Sequence, residues 1–287
     1  MNPEIEKKLQ SITDLPTLPA VISKLTTAVD NSKSDSRQIA RLLQDDPALA
    51  TRVLRLVNSA LYAGSEPTAS VQLAVARIGM VGIRNLATAV AVFQAFRPGP
   101  VGSFDRKEFW RHCILCGVAS TILYRKARSK LPHFYPDDVL HLSGLVHDIG
   151  RIVLDVHFHD AFVAAMSASE QNMAPLIEME RRHIGTDHAE IGAWLAQRWR
   201  MVPAVQQVIR WHHDPDGADP EFQELAQLCN AANYICNFQQ LGWSGDPAPE
   251  FLPLLWERLG LTPSDAIEIG QNILADGQYS QLLSALE

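Results

Sequence analysis

Apolar residues in this chain recur at helical spacing, and strand-like alternation bounded by hairpin turns is nearly absent. This periodicity restricts the fold more than any other feature. Side chains three and four apart share one face of a helix, whereas a strand points alternate residues to opposite faces. After Asp45-Asp46-Pro47, the residues Leu49, Val53, Leu56 and Val57 fall at i, i+4, i+7 and i+8. Asp46 is placed to cap that helix, and Pro47 suits its first turn. Thr262-Pro263-Ser264-Asp265 opens another helix in the same way, with an acid near the positive end of the dipole. Asp187 is placed to cap a helix through Ala189, Ile191, Trp194, Leu195 and Trp199. Val202-Pro203 ends it and begins the next, which carries Val205, Val208, Ile209 and His212. The expected fold is all-α.

Two Pro/Gly breaks divide the chain, Arg97 to Ser103 (RPGPVGS) and Gly242 to Pro249 (GWSGDPAP). They suggest an N-terminal helical bundle over 1–97, a central helical domain over 104–241 and a C-terminal helical tail over 250–287. With 47% apolar and 20% charged residues, 287 residues suffice for a substantial core. The net charge of -7 supplies no global positive field for nucleic acid or anionic lipid. Ser34 to Ser59 has the outline of a helix-turn-helix, with Arg52, Arg55 and Asn58 as base readers. An ordinary helical pair of the bundle is the preferred reading, since Leu49, Val53, Leu56 and Val57 fill one face and Asp45 and Asp46 sit in the turn, and no nucleic-acid partner is expected. The apolar stretch Leu86 to Phe96 is too short to span a bilayer. Met1 to Gln10 is charged and has no apolar core of a signal segment. The expectation is a cytoplasmic protein without a membrane partner, whose four cysteines remain thiols.

The histidines carry the chemical signal. His112 lies in FWRHCILC, His147-Asp148 in GLVHDIG, and His188 and His212-His213 follow. Imidazole and carboxylate are sound ligands for divalent transition metals. Adjacent His and Asp cannot share one side of a regular helix. They can converge near a helix end, or one can orient the other. Gly144 and Gly150 flank the pair, which permits close approach of a ligand or of another backbone. A bound ion would acidify a water and clamp phosphoryl oxygens. His133, His141, His157, His159 and His183 are assigned to packing or to the surface. Cys113-Ile-Leu-Cys116 is a CxxC next to His112, but no second CxxC exists, and Cys229 and Cys236 stand at i, i+7. All four are read as packing residues on helices. Tyr124 to Lys130 is a basic run at a helix end, and Trp194, Trp199 and Trp211 are read as core.

The order His112, His147-Asp148, His188, His212-His213 resembles the HD superfamily of metal phosphohydrolases, including the HD-GYP type that hydrolyses cyclic dinucleotides. The better match is to the HDOD domains, HD-related output domains of bacterial signalling. It rests on LPTLPAVISKL, IARLLQDDPALATRVLRLVNSALY and VQLAVARIGMVGIRNLA, and on FWRHCILCGVAS, LSGLVHDIGRIVL, HAEIGAWLAQRWRMVPAVQQVIRWHH and LCNAANYI. The resemblance covers about residues 12–280. It implies a helical bundle packed on an HD-like helical domain. It also implies a metal set of His112, His147, Asp148, His188, His212 and His213 for iron, manganese or zinc, with Asp148 and Arg151 catalytic in an active member. Signalling proteins are the implied partners, with a nucleotide or other small molecule as a further ligand.

The departures bear on activity. Asn233, in Ala232-Asn233-Tyr234-Ile235, stands where catalytic members carry an Asp. Arg151 stands where HD-GYP enzymes carry a Lys. No Gly-Tyr-Pro follows His213, and the acidic loop Asp214 to Asp219 opposes a polyanionic nucleotide. The expectation is a bacterial output protein that acts through protein–protein contacts. Its metal pocket is degenerate, its ion weakly held or absent, and its hydrolase activity little or none. The alternative is a metal-dependent phosphohydrolase acting on a nucleotide or cyclic dinucleotide.

Overall fold

Helix starts expected from local capping are present in the structure, a computed structural model that describes residues 3–12, 15–59, 61–62, 64, 66–96, 104–275 and 278–286. The N-terminal helices are α1 (Pro3–Ser11), α2 (Ala20–Asp30), α3 (Ser36–Gln44), α4 (Pro47–Val57) and α5 (Val71–Ala95). The central ones are α6 (Arg106–Ala127), α7 (Asp137–Val146), α8 (Gly150–His157), α9 (His159–Asn172), α10 (Leu176–Ile184), α11 (His188–Arg198), α12 (Pro203–Trp211) and α13 (Gln223–Phe238). α14 (Pro253–Leu259), α15 (Pro263–Ala275) and α16 (Gln278–Leu286) complete the chain. No strand occurs among the described residues, so the fold is all-α. The Asp46 side chain accepts from the Leu49 N–H at 3.0 Å, and Asp187 from the Glu190 N–H at 2.8 Å. Asp265 Oδ2 accepts from the Thr262 N–H at 2.6 Å, which ties the first turn of α15 to the residue before it.

α5 is the hub of the N-terminal half. It is broken at Gly79, whose φ of 84° and ψ of 165° are non-helical, and every residue from Gly82 to Phe93 is buried. By length and apolarity alone α5 could cross a membrane, but it packs against α2, α3, α4 and α7 as a core helix. Trp110 Nε1 of α6 donates to the Phe96 carbonyl at 3.0 Å, which links the bundle to the central helices. One contiguous apolar core runs from Leu9 to Leu286. The C-terminal helix returns to the beginning of the fold, where α16 lies on α4, α5 and α6.

That return bears on the helix-turn-helix outline. Arg55 and Asn58 line a cleft shared with Gln281 and Ser284 of α16. The Asn58 side chain is engaged by the Thr68 backbone, donating to its carbonyl at 2.9 Å and accepting from its N–H at 2.7 Å. Of the three expected base readers, Asn58 is thus committed to its own chain, while Arg55 is exposed. The basic run is likewise engaged, with Arg125 on Asp137 and Lys126 on Asp265, both at 2.5 Å. The tryptophans meet the core expectation in part, since Trp194 and Trp199 pack against the core from its edge. Trp194, Trp199 and Trp211 are half-buried, and Trp199 Nε1 donates to the Pro16 carbonyl at 3.2 Å. An indole has a polar edge that a fully apolar interior leaves unsatisfied.

Of the two sequence breaks, Arg97 to Ser103 lies outside the described residues. Gly242 to Pro249 is irregular but tightly packed. Trp243 N–H donates to the Glu108 carbonyl at 3.0 Å, and Ser244 and Asp246 are buried.

Candidate metal centre

The His-Asp pair sits in the short connection between α7 and α8, where His147 is the C-cap residue of α7 and α8 begins at Gly150. Both flanking glycines answer to backbone. A Cβ at Gly144 would lie 2.4 Å from the Gly117 nitrogen of α6. A Cβ at Gly150 would lie 2.0 Å from the His188 carbonyl oxygen and 2.8 Å from the Gly192 nitrogen of α11. These crossings bring His112 of α6 and His188 of α11 to the pair from opposite sides.

Asp148, His188, His212 and His213 form one group whose ligand atoms all lie within 4.8 Å of one another. His188 heads α11, while His212 and His213 follow α12. His188 Nε2 is 3.1 Å from Asp148 Oδ1, 3.4 Å from His212 Nε2 and 3.0 Å from His213 Nε2. His212 Nε2 is 3.4 Å from the same Asp148 oxygen. Donors held at about 2.0–2.1 Å around one cation are separated by roughly 3.0–3.4 Å, so these spacings are those of a coordination shell.

The other ring nitrogens fix the tautomers. His147 Nδ1 donates to the Gly144 carbonyl at 2.7 Å, and His212 Nδ1 to the Ile209 carbonyl at 3.1 Å. A carbonyl only accepts, so each proton is on Nδ1 and each Nε2 presents a lone pair inward. His188 Nδ1 lies 2.6 Å from Glu180 Oε2, which also accepts the His188 N–H at 2.9 Å. Glu180 is fully buried on α10. A carboxylate behind an imidazole is a common support for metal-binding histidines. Sequence reading missed it, although the signal was there: Glu180 falls three and four residues after Ile177 and Leu176, on the apolar face of α10.

The electrostatics differ between the donors. Burial pushes His212 down to about 4, and the neighbouring imidazoles His147 and His188 add to the depression. His188 differs. Burial opposes its protonation, but Glu180 and Asp148 raise its pKa to about 9. Burial also opposes ionisation of Asp148, yet its cationic neighbours, Arg151 foremost, hold its carboxyl well below the ordinary range. Arg151 Nη1 lies 2.9 Å from Asp148 Oδ2 and donates to the Ser244 carbonyl at 2.6 Å. The sequence break at 242–249 therefore closes one wall of the pocket. Neither Asp148 oxygen is aligned for a hydrogen bond with a described residue, despite the nearby cations, and His147 Nε2 also has no hydrogen-bond partner among them. Buried acceptors left open in this way fit a cation between them.

The remaining candidates form a second group. His112, Cys116 and His147 are fully buried, with ligand atoms within 4.8 Å. His147 Nε2 stands 3.3 Å from Asp148 Oδ2, at the junction of the two groups. Asn233 of α13 lies by His112. Its Oδ1 accepts from Asn237 Nδ2 at 2.7 Å, so it is engaged within its own helix. The six expected ligands thus converge but divide, with His112 and His147 on one side and Asp148 with the other three histidines on the other. His213 reaches a cleft of about 480 Å³ that leads to solvent. The carboxylates of Glu178, Asp214, Asp216 and Glu250 line it, against the guanidiniums of Arg181 and Arg258. Arg181 pairs with Asp187 and Arg258 with Asp216, each at 2.7 Å.

Residues 15–215 match the family model of the HDOD domain. Among solved structures, an HDOD domain protein of unknown function from Geobacter sulfurreducens is similar, with 22% identity and a TM-score of 0.71, covering 98% of this chain and 94% of that one. A candidate phosphohydrolase of Shewanella amazonensis SB2B is 27% identical, with a TM-score of 0.71 and 98% of each chain covered. A candidate signal transduction protein of Marinobacter aquaeolei VT8 is 21% identical, with a TM-score of 0.72, covering 99% of this chain and 64% of that one. An uncharacterized protein of Treponema pallidum (strain Nichols) is 27% identical over 227 residues, 79% of this chain. The chain spans 43% of that relative's length.

Proposed function

The chain belongs to the HDOD family, and on that premise we propose that it is a bacterial cytoplasmic output protein that acts through protein–protein contacts and keeps an HD-type pocket for a divalent ion, with little or no hydrolase activity. The observation that carries this reading is the division of the ligand set: a complete four-donor group beside one whose expected carboxylate is the amide of Asn233. Asp148, His188, His212 and His213 would hold iron, manganese or zinc. The bound ion would supply Lewis acidity and a lowered water pKa. A paired site that clamps both the attacking and the leaving oxygen needs a second oxygen-ligated ion, and Asn233 leaves that set one carboxylate short. The cleft adds to the argument, because four carboxylates against two already paired guanidiniums disfavour a polyanionic nucleotide.

A metal-dependent phosphohydrolase acting on a nucleotide or cyclic dinucleotide is the second reading. It is favoured by the intact four-donor group and by Arg151, which is buried beside Asp148 and suited to phosphate. Metal analysis of protein purified without chelator, run with a phosphodiesterase assay in manganese or iron, separates the two. The first reading expects negligible turnover whatever ion is bound; robust turnover would sink it. Asn233→Asp is expected to raise metal occupancy in the same analysis, and unchanged occupancy would remove Asn233 from the ligand position. Glu180→Gln is expected to lower metal affinity by about 10–100-fold while the fold persists, since it weakens the hydrogen bond that orients His188. Titration of the chelator-stripped protein checks this.

A further inference from the structure

The group that lacks its carboxylate has a thiol within reach. Cys116 follows His112 by one helical turn on α6, and its Sγ lies 3.3 Å from His112 Nε2. His147 Nε2 completes the trio from the end of α7. All three side chains are fully buried, and His147 Nε2 has no hydrogen-bond partner among the described residues. The Gly144 carbonyl holds the His147 proton on Nδ1, so its Nε2 can only accept. An S–H group is a weak donor with one proton, and does not account for two imidazoles turned toward the same space. A cation does.

We propose that Cys116 is the anionic ligand of a soft divalent-metal site shared with His112 and His147, standing in for the carboxylate missing at Asn233, and that this site takes zinc in preference to hard ions. A thiolate carries the same single negative charge as the absent carboxylate, which restores the charge of the ligand set. It also changes the selectivity, because thiolate and imidazole favour zinc, whereas carboxylate and water favour magnesium and manganese. Cys113, the other cysteine of the CxxC, is not part of the group. Burial pushes the Cys116 thiol up, and contact with Cys236 adds to this, so the metal-free side chain is a neutral thiol. Binding expels its proton to solvent as the sulfur–metal bond forms, because a coordinating thiol is deprotonated by its ion. This inference deepens the metal-pocket reading and rests on it.

The test uses the full chain, stripped of metal and titrated with cobalt(II) as a spectroscopic substitute for zinc. Thiolate-to-cobalt charge-transfer absorption in the near ultraviolet is expected, lost in Cys116→Ser and retained in Cys113→Ser. Zinc affinity is expected to fall at least about tenfold in Cys116→Ser, because an anionic ligand outweighs the outer-sphere contacts that already cost that much. Zinc-edge absorption on the unaltered protein gives a second readout that needs no variant, with sulfur expected at about 2.3 Å. Metal bound without a charge-transfer band and without sulfur scattering would overturn the thiolate site and leave the four-donor pocket standing. No bound ion under any loading would overturn both.

Discussion

Asp148→Ala is expected to destabilise the metal-free protein by about 3–5 kcal/mol, because it removes one partner of a buried ion pair and strands the other. Asp148 and Arg151 have no exposed side-chain surface and stand 2.9 Å apart. Without the carboxylate, Arg151 keeps only the Ser244 carbonyl as a hydrogen-bond acceptor among the described residues. His188 loses one of the two carboxylates that hold its proton. Urea denaturation in chelator measures the loss, through a lower midpoint at unchanged slope. The double variant Asp148→Ala/Arg151→Met is expected to recover most of it, since replacing a whole buried pair by apolar groups is often neutral. A single-variant loss below about 1 kcal/mol, the range of an exposed pair, would show that water reaches Arg151 and that the pair is not buried.

Gly150→Ala is the second large effect, with an expected loss of about 3 kcal/mol, the upper end for overpacking. Helix propensity alone has the opposite sign, since Ala in place of a helical Gly gains up to about 1 kcal/mol. The structure decides between them. The new methyl carbon would lie 2.0 Å from a carbonyl oxygen, and backbone cannot rotate away as a side chain can. α8 and α11 must separate, which moves His188 away from Asp148. Metal affinity is therefore expected to fall although no ligand is altered. Denaturation midpoint and metal titration are read on the same preparation. A variant as stable as the parent, with unchanged binding, would mean that this crossing does not set the site.

Local signals sufficed for the all-α class and for the helix starts at Pro47, His188 and Pro263, because capping acts over three or four residues. The sequence also carried the order of the histidines and, through family resemblance, the amide at Asn233. Which donors meet depends on how the helices pack. Glu180 stands behind His188, Cys116 joins His112 and His147, and the segment at 242–249 closes over Arg151. Asp148 and His212 are far apart along the chain, and the distance between them in space is set by helix crossings at Gly117, Gly144, Gly150 and Gly192. Backbone contact between distant helices leaves no periodic trace in any one of them. The ingredients of the pocket were therefore legible, while its division into two groups arises from packing.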